Sequence, residues 1–286
     1  MWTNEHQPNT YGFQVLLSVH NDEKNIKRCL ESLNKSLGEC DWVLLYGDDG
    51  CTDESTVELA KYAPALTCDK VHLYEYDKAN SVGEAKNRLI KESHDFKDKY
   101  QYILFMDSDD EMLPERPLMA QTAIEKNSKY VVGAWNKVKN FQSKTNASVP
   151  VSEKLSFGPW ATLFHCDFLP EDGKFFPEDE VCNTGFEDVL TWHHLKHIEN
   201  KEPTPHPSDQ PVHNYIIRPE SASNTQDVKA LNSRRNAFWG ISDLIKDHSR
   251  NIYDNPVTIE ESEKATQAYT QRKENKNKQK SQNPLL

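Results

Sequence analysis

The sequence predicts an α/β fold: a doubly wound, mostly parallel sheet with helices on both faces and a helical C-terminal extension. Three runs of strand length, 13–19, 42–46 and 102–106, are apolar at nearly every position. Continuous apolar runs are typical of parallel strands that are covered on both faces. Segments with helical spacing of apolar residues lie between these runs. This alternation of strand and helix indicates a parallel sheet.

Capping residues set the helix boundaries in the first half. Asn21 or Asp22 can cap the first helix, and Gly38 ends it. Ser81 and Glu84 form a capping box at the start of a later helix. The predicted elements are, in order, strand 13–19, helix 22–37, strand 42–46, helix 54–62, strand 71–74, helix 81–93 and strand 102–106.

The second half carries fewer elements with a clear pattern. Strand-forming residues occur at 130–132 and 137–138, and an amphipathic helix is predicted from Val228 to about Asp247. The last residues are basic with almost no apolar side chains, which predicts disorder. The predicted organisation is an N-terminal arm over 1–12, one domain over 13–225 with halves 13–112 and 113–225, a helical extension over 226–262, and a disordered basic tail over 263–286.

Composition excludes several classes of protein. The net charge of −11 argues against a general nucleic-acid binder, which needs a basic face for phosphates. The six cysteines include no Cys-x-x-Cys pair, which argues against a zinc ribbon. Neither a signal peptide nor a membrane span is predicted, so we expect reduced thiols and a cytoplasmic protein. The basic tail allows at most a peripheral membrane contact.

An acidic stretch follows the run 102–106. Asp107, Asp109, Asp110 and Glu111 place four carboxylates within five positions. Asp107 and Asp109 are expected at the carboxyl edge of the sheet, where open α/β sheets bind ligands. Carboxylates this close repel one another unless a cation is present, and Mg²⁺ or Mn²⁺ could also bridge to a diphosphate. The alternative is an acidic turn that caps the next helix.

Polar residues also end two other strands of the predicted sheet. Ser18 lies at the end of the first strand, and Asp48 and Asp49 end the second. Polar groups gathered on one edge predict a nucleotide pocket, in which carboxylates accept hydrogen bonds from base and ribose. Lys86, near a helix N-terminus, could add positive charge for phosphates. The alternatives are an ordinary turn at Asp48–Asp49 and a solvated lysine at Lys86. A dinucleotide dehydrogenase fits poorly because no Gly-x-Gly-x-x-Gly follows the first strand.

Four motifs, in their order along the chain, resemble those of glycosyltransferase family 2, whose members use nucleotide-diphosphate sugars. They match the family's first strand and helix entry, its Asp-Asp-Gly-Ser-Thr-Asp loop, its Gly-Ala-Arg-Asn helix start and its Asp-x-Asp motif. The matching segments here are Leu17–Glu23, Asp48–Asp53, Gly83–Asn87 and Asp107–Asp109.

Four positions depart from the family pattern. Cys51 replaces the serine of the loop, and Lys86 replaces the arginine of the helix start. His20 stands where tyrosine is common, and Ser18 stands where proline is common. The departures at His20 and Ser18 concern base stacking and not the scaffold. The resemblance still implies the GT-A fold, with 13–112 as its nucleotide-binding half and 113–225 as its acceptor-binding half.

The resemblance also implies roles for individual residues on the donor side. A Mn²⁺ or Mg²⁺ ion would be held by Asp107 and Asp109, with His213 as a third ligand as in some GT-A enzymes. A structural histidine is the alternative at His213. The nucleotide-binding residues implied are Ser18, Asp48, Asp49, Lys86 and Asp107.

On the acceptor side, Glu187–Asp188 resembles the family's Glu-Asp motif at a helix start. Asp188 then matches the general base, and Glu187 matches its neighbour in the acceptor pocket. The alternative is that both acids only complement the helix dipole. Trp160 could stack on a sugar ring if exposed, but a core position is the more common role of such a residue. Arg218 and Ser221, in a loop like those that cover the donor, are available to the diphosphate.

The predicted function is metal-dependent transfer of a sugar, with inversion, from a nucleotide diphosphate to an acceptor hydroxyl. A UDP-sugar is the expected donor, and a glycan, a lipid-linked group or another hydroxyl is the expected acceptor. One alternative is a sugar-phosphate nucleotidyltransferase, although the acidic segment 20–23 replaces the basic phosphate loop of that class. The other is a non-catalytic module that binds nucleotide sugars or glycans, although both the acidic motif and a candidate base are present.

Overall fold

A computed structural model describes residues 11–139, 148–149, 158–178, 182, 187–217, 236–237, 239–245, 251–255 and 257–282. The side chains of residues 139, 148–149 and 276–282 are not included. The chain divides into two compact units. The first contains Met1–Ala79, Glu84–Phe175 and Pro203–Ile217, and the second contains Asn80–Gly83, Phe176–Glu202 and Arg218–Leu286.

The first unit is built on a seven-stranded sheet with the order β10-β6-β9-β4-β1-β2-β3. β1, β2, β3 and β4 run parallel, whereas β9 is antiparallel to both β4 and β6. The predicted mostly parallel sheet is therefore confirmed. The strands are β1 (Phe13–Val19), β2 (Trp42–Asp49), β3 (Lys70–Tyr76), β4 (Tyr102–Asp107), β6 (Tyr130–Val132), β9 (Thr162–His165) and β10 (Thr204–Pro205).

Helices connect the parallel strands, and the core is continuous between them. The central strands β1, β2 and β4 are buried at almost every position, as their apolar composition predicts. Helix α1 buries Ile26, Leu30 and Leu33, which recur at helical spacing, in the same apolar cluster. The helices of this unit are α1 (Glu23–Leu37), α2 (Ser55–Tyr62), α3 (Val82–Ser93, whose first two residues belong to the second unit) and α4 (Met119–Glu125).

A second sheet, which the sequence did not predict, has the order β5-β11-β7-β8. The strand after the acidic stretch, β5, pairs antiparallel with β11, and β11 pairs parallel with β7. The strands are β5 (Glu111–Met112), β7 (Ala134–Lys139), β8 (Ser148–Val149) and β11 (Pro211–Ile217). β6, β9 and β10, which come from the predicted half 113–225, complete the first sheet.

Arg116 is fully buried at a gap between two strands of the first sheet. The pairing of β4 with β9 ends at Leu104 and Leu163. Beyond this pair, Nη2 of Arg116 donates hydrogen bonds to the carbonyl oxygens of Phe105 at 2.9 Å and Thr162 at 3.2 Å. Burial lowers the pKa of Arg116 to about 9, although Asp107 and Asp110 act in the opposite direction. The side chain thus satisfies backbone oxygens where the strand ladder stops.

The second unit corrects the prediction of a disordered tail. Helix α7 (Ile259–Gln282) includes most of the segment 263–286. Its Lys, Gln, Glu and Ala residues are good helix formers, and its first half contacts helix α6 (239–245). Asp243 accepts a hydrogen bond from Arg272 at 2.8 Å, and a Cβ on Gly240 would lie 2.6 Å from the carbonyl oxygen of Ala265. Packing and helix propensity together order a segment that has few apolar residues.

Helix α5 (Glu187–His197) belongs to the same unit. Its Leu190 packs with Ile241 and Ile245 of α6 in a small apolar cluster. The predicted helix 228–247 is described only at 236–237 and 239–245, where it is helical. The remainder of that helix, most of the predicted arm, Arg218 and Ser221 lie outside the described residues. Among the described helices, none combines the length and hydropathy required to cross a membrane.

The position of Arg116 predicts that Arg116→Met will destabilise the first unit. The substitution removes the donor for the carbonyl oxygens of Phe105 and Thr162 and leaves them buried. We expect the free energy of unfolding to fall by about 2–5 kcal/mol, as measured by urea denaturation. Lys24→Met, which removes an exposed cation from α1, is the control and should change stability by less than about 0.5 kcal/mol. Equal stability of the two variants would show that Arg116 is not required at this gap.

Candidate active site

The strand ends that the sequence selected meet at one edge of the first sheet. In the register of the parallel strands, Ser18 lies opposite Gly47 on one side and Asp107 on the other. Asp48 and Asp49 continue the strand that contains Gly47. The prediction that these polar residues gather at the carboxyl edge is therefore confirmed. The parallel register brings them together although they are far apart in the sequence.

The carboxylate of Asp49 is buried and bound by groups that follow β3. Lys78 Nζ lies 2.6 Å from Oδ2, and the backbone N–H of Ala79 donates to Oδ1 at 2.6 Å. Arg88 Nη1 is 3.6 Å from Oδ1 and also donates to the carbonyl oxygen of Asp77. The sequence analysis did not identify Lys78 or Arg88. A signal was present for Arg88, because it follows Glu84 by one helical turn, the spacing of an ion pair on a helix. Asp49 thus fixes residues 78 and 79, which lie beside the predicted base site.

Asp48 closes the loop that follows β2. Its carboxylate accepts a hydrogen bond from the backbone N–H of Cys51 at 2.7 Å and another from Thr56 Oγ1 at 2.6 Å. Burial raises the pKa of Asp48, but these hydrogen bonds outweigh it and hold the pKa below its ordinary value. Gly50 in this loop has a φ of +65°, and a Cβ there would lie 2.7 Å from the backbone nitrogen of Lys78. Only glycine fits this close approach without strain.

The acidic turn after β4 is anchored from helix α1. Ser108 Oγ donates to the carboxylate of Asp22, which precedes that helix. Arg28 donates through Nη2 to the carbonyl oxygen of Asp109. Lys86, only 6% exposed, places Nζ 3.7 Å from the Asp107 carboxylate. The alternative of a solvated lysine at position 86 is therefore wrong, and its cation lies beside the acidic turn.

His213 lies beside the acidic turn but contacts Asp110 and not the two predicted metal ligands. Its ring is fully buried, and Nε2 is 2.8 Å from Asp110 Oδ2. The other carboxylate oxygen accepts from the backbone N–H of Ile216 at 2.7 Å. Burial lowers the pKa of His213 well below its ordinary value, and the charge of Arg116 acts in the same direction. The imidazole connects β11 to the turn.

This geometry tests the predicted metal centre. Among the described side chains, no three His, Cys, Asp or Glu residues form a group that could hold a metal ion. Asp107 and Asp109 offer the carboxylate oxygens that Mg²⁺ and Mn²⁺ prefer, and diphosphate oxygens could complete the coordination. Nε2 of His213 is directed at Asp110 in this arrangement, and the role of His213 as a third ligand stays a prediction. The side chains that fit a divalent metal ion here are those of Asp107 and Asp109.

Trp160 lies within an aromatic cluster formed with the second sheet. Its ring stacks on His213 at 5.0 Å and on Tyr215 at 5.2 Å between centroids, and it meets Trp135 edge-on at 4.8 Å. These contacts favour the core alternative for Trp160. Its role in acceptor binding stays a prediction.

In the second unit, Glu187 and Asp188 form the first turn of α5. Glu187 is buried, and the backbone N–H of Val189 donates to Asp188 Oδ1 at 2.8 Å. Gly83 of the same unit lies close by: a Cβ there would be 2.6 Å from the carbonyl oxygen of Pro177 and 3.3 Å from Cβ of Glu187. Gly185 and Phe186 lie outside the described residues. Gly83, which belongs to the motif Gly83–Asn87, thus allows close packing at the start of α5.

Comparison with solved structures shows the fold. A structure of S. aureus TarS 1–349 in complex with UDP has a TM-score of 0.55 and 20% identity, with 82% of this chain and 68% of that chain covered. The mannosyltransferase PcManGT from Pyrobaculum calidifontis, in complex with GDP-Man and Mn²⁺, gives 0.56 and 13%, with 84% and 64% covered. This chain spans 46% of a longer TarS structure. The predicted GT-A fold is confirmed.

Comparison with family sequence profiles shows the family. The profile described as glycosyl transferase family 2 matches residues 14–169. The match begins in β1 and continues past the acidic turn and beyond β9. It includes more than half of the chain, and the chain therefore belongs to glycosyl transferase family 2.

Proposed function

We propose that this chain transfers a sugar from a nucleotide diphosphate to an acceptor hydroxyl, in a metal-dependent reaction that inverts the anomeric configuration. The observation that carries the proposal is the convergence of Ser18, the Asp48–Asp49 loop and the acidic turn on one sheet edge. Such an edge can hold the base, the ribose and the diphosphate side by side. Membership of the family supports glycosyl transfer as the reaction.

The nucleoside is proposed to bind at the Asp48–Asp49 loop. Both side chains are fixed by hydrogen bonds, and Lys78 and Arg88 next to Asp49 add donors. Lys86, buried beside Asp107, supplies positive charge where the diphosphate would lie. UDP is the proposed nucleotide, which the UDP and UDP-GlcNAc complexes of TarS support. The GDP-Man complex of PcManGT makes a GDP-sugar the first alternative donor to test.

Asp107 and Asp109 are proposed to hold Mn²⁺ or Mg²⁺. The Mn²⁺ in the PcManGT complex supports use of a divalent ion. When bound, such an ion would neutralise charge on the departing nucleoside diphosphate. The chain itself contributes the position of the two carboxylates, which Ser108, Arg28 and the neighbouring Asp110 fix through the turn.

Asp188 is proposed as the general base. In a single displacement, the carboxylate takes the proton from the acceptor hydroxyl as its oxygen attacks the anomeric carbon, and the bond to the diphosphate breaks. Support comes from the family resemblance and from the position of Asp188 at the start of a helix, where the dipole favours its anionic form. Glu187, which is buried beside it, is proposed to position the acceptor pocket.

Nucleotide binding should depend on a divalent ion. Without metal, Asp107 and Asp109 repel the diphosphate, so UDP should bind at least about tenfold more weakly in EDTA than with Mn²⁺ by calorimetry. Asp109→Asn should remove most of this difference. Asp98→Asn, which neutralises an exposed acid away from the turn, is the control and should preserve it. Equal affinity of the unmodified chain with and without metal would exclude the metal assignment.

Transfer should depend on Asp188. Asp188→Asn keeps the side-chain shape but cannot accept a proton, so turnover should fall about 10²–10⁴-fold with little change in donor affinity. Steady-state assays with UDP-sugars and GDP-sugars would measure it. Glu187→Gln should have a smaller effect, and Glu171→Gln, an exposed acid paired with Lys97, should have none. Normal turnover of Asp188→Asn would place the base elsewhere, and a product that retains its anomeric configuration would contradict the proposed inversion.

A further inference from the structure

The acidic stretch contains four carboxylates, and the proposed function uses only those of Asp107 and Asp109 as metal ligands. Glu111, the first residue of β5, lies opposite Asn214 of β11 in the register of the second sheet. Its two carboxylate oxygens face different partners. Asn214 Nδ2 donates to Oε2 at 2.8 Å, and Arg28 Nε lies 3.6 Å from Oε1. Glu111 therefore joins the second sheet to helix α1.

The contact between Glu111 and Asn214 continues to the next strand of this sheet. Asn214 lies opposite Asn136 of β7, and Asn136 Nδ2 donates to Asn214 Oδ1 at 3.0 Å. The buried Asn214 amide is thus held at both ends, with its nitrogen on Glu111 and its oxygen on Asn136. Glu111, Asn214 and Asn136 form one hydrogen-bonded polar row across β5, β11 and β7.

Helix α1 contacts the acidic stretch through one stripe of side chains. Arg28, Ser32 and Ser36 follow one another at intervals of four residues, which places them on one face of the helix. Ser32 Oγ accepts from the backbone N–H of Met112 at 3.0 Å, and Ser36 Oγ donates to the carbonyl oxygen of Met112 at 3.0 Å. Arg28 donates through Nη2 to the carbonyl oxygen of Asp109. The stripe therefore fixes the main chain at Met112 and at Asp109.

We propose that Arg28 is a positioning residue for the divalent ion and that the polar row holds its guanidinium in place. The inference rests on the proposed function, in which Asp107 and Asp109 bind Mn²⁺ or Mg²⁺. A guanidinium has no acceptor, so Arg28 is not a ligand. It fixes the main chain of Asp109, and thereby the position of that carboxylate, while Glu111 and Asn214 fix the guanidinium. Removal of an outer partner of a metal ligand typically costs about 10–100-fold in metal affinity.

The charge of Arg28 and its contact with Asp109 act on a bound cation in opposite directions. By Coulomb's law alone, a guanidinium beside the carboxylates repels a divalent ion, so its removal would strengthen metal binding. If the guanidinium positions Asp109, its removal weakens metal binding instead. The side chains of Arg28 and Glu111 are 25% and 30% exposed, and ion pairs open to solvent contribute little to stability. The sign of the change in metal affinity therefore separates positioning from charge.

The first experiment measures UDP binding to the full chain by calorimetry, in EDTA and over a series of Mn²⁺ concentrations. Arg28→Met should raise the Mn²⁺ concentration at half-maximal UDP affinity by about tenfold or more. UDP affinity in EDTA should not change. Lys27→Met, which removes the neighbouring exposed cation of α1, is the matched control and should leave the Mn²⁺ requirement unchanged.

The outcomes distinguish this inference from the proposed function. An Arg28→Met variant that requires the same Mn²⁺ concentration as the unmodified chain, or a lower one, would overturn the inference alone. Weaker UDP binding by this variant in EDTA would also overturn it, because the defect would then not concern the metal. An unmodified chain whose UDP affinity does not respond to Mn²⁺ would overturn the metal assignment, and the inference with it.

A second experiment tests the polar row with a variant that changes no charge. Asn214→Leu should raise the Mn²⁺ requirement in the same direction as Arg28→Met. Because Asn214 acts through Arg28, the double variant should require no more Mn²⁺ than Arg28→Met alone. Additive effects, or a normal Mn²⁺ requirement of Asn214→Leu, would contradict the role of the row. Asn136→Ala, at the partly exposed end of the row, should have a smaller effect in the same direction and serves if Asn214→Leu does not fold.

Discussion

The anchoring of the acidic turn is the constraint on which the candidate site depends. Ser108 bonds to Asp22, the carbonyl oxygen of Asp109 bonds to Arg28, and Asp110 bonds to both His213 and the backbone N–H of Ile216. The first two contacts come from the start of the chain, and those of Asp110 come from β11, more than 100 residues further along. None of them uses the carboxylate of Asp107 or Asp109. A cation or a diphosphate would therefore meet carboxylates on a turn whose backbone is already fixed, which limits the cost of ordering on binding.

Cations around this turn offset the repulsion among its carboxylates. Lys86 lies beside Asp107, Arg28 lies 3.6 Å from Glu111, and Arg116 is buried where both Asp107 and Asp110 act on its charge. Although the chain has a net charge of −11, positively charged side chains thus surround the acidic turn. Because these pairs are partly or fully buried, salt screens them less than surface pairs.

The sequence predicted which residues lie at this edge of the sheet better than it predicted their contacts. Ser18, Asp48, Asp49 and Asp107 could be grouped because parallel strands place their carboxyl ends on one edge. The contacts of Asp49 with Lys78, and of His213 with Asp110, could not be predicted. Both contacts depend on where a loop or a strand returns to the site, and a local pattern contains no information about that path. For this reason the sequence could not show that His213 is buried against the carboxylate of Asp110.

The sequence by itself determined the alternation of strands and helices from β1 to β4, because burial on both faces leaves continuous apolar runs and helical burial leaves a repeat of 3.6 residues. Only the tertiary structure decided the second sheet, whose short strands pair across long separations in the chain. It also decided that Arg116 fills the gap between β4 and β9, and that α7 is ordered against α6. In each case the partner that stabilises the element is distant in sequence, so a local pattern contained no information about it.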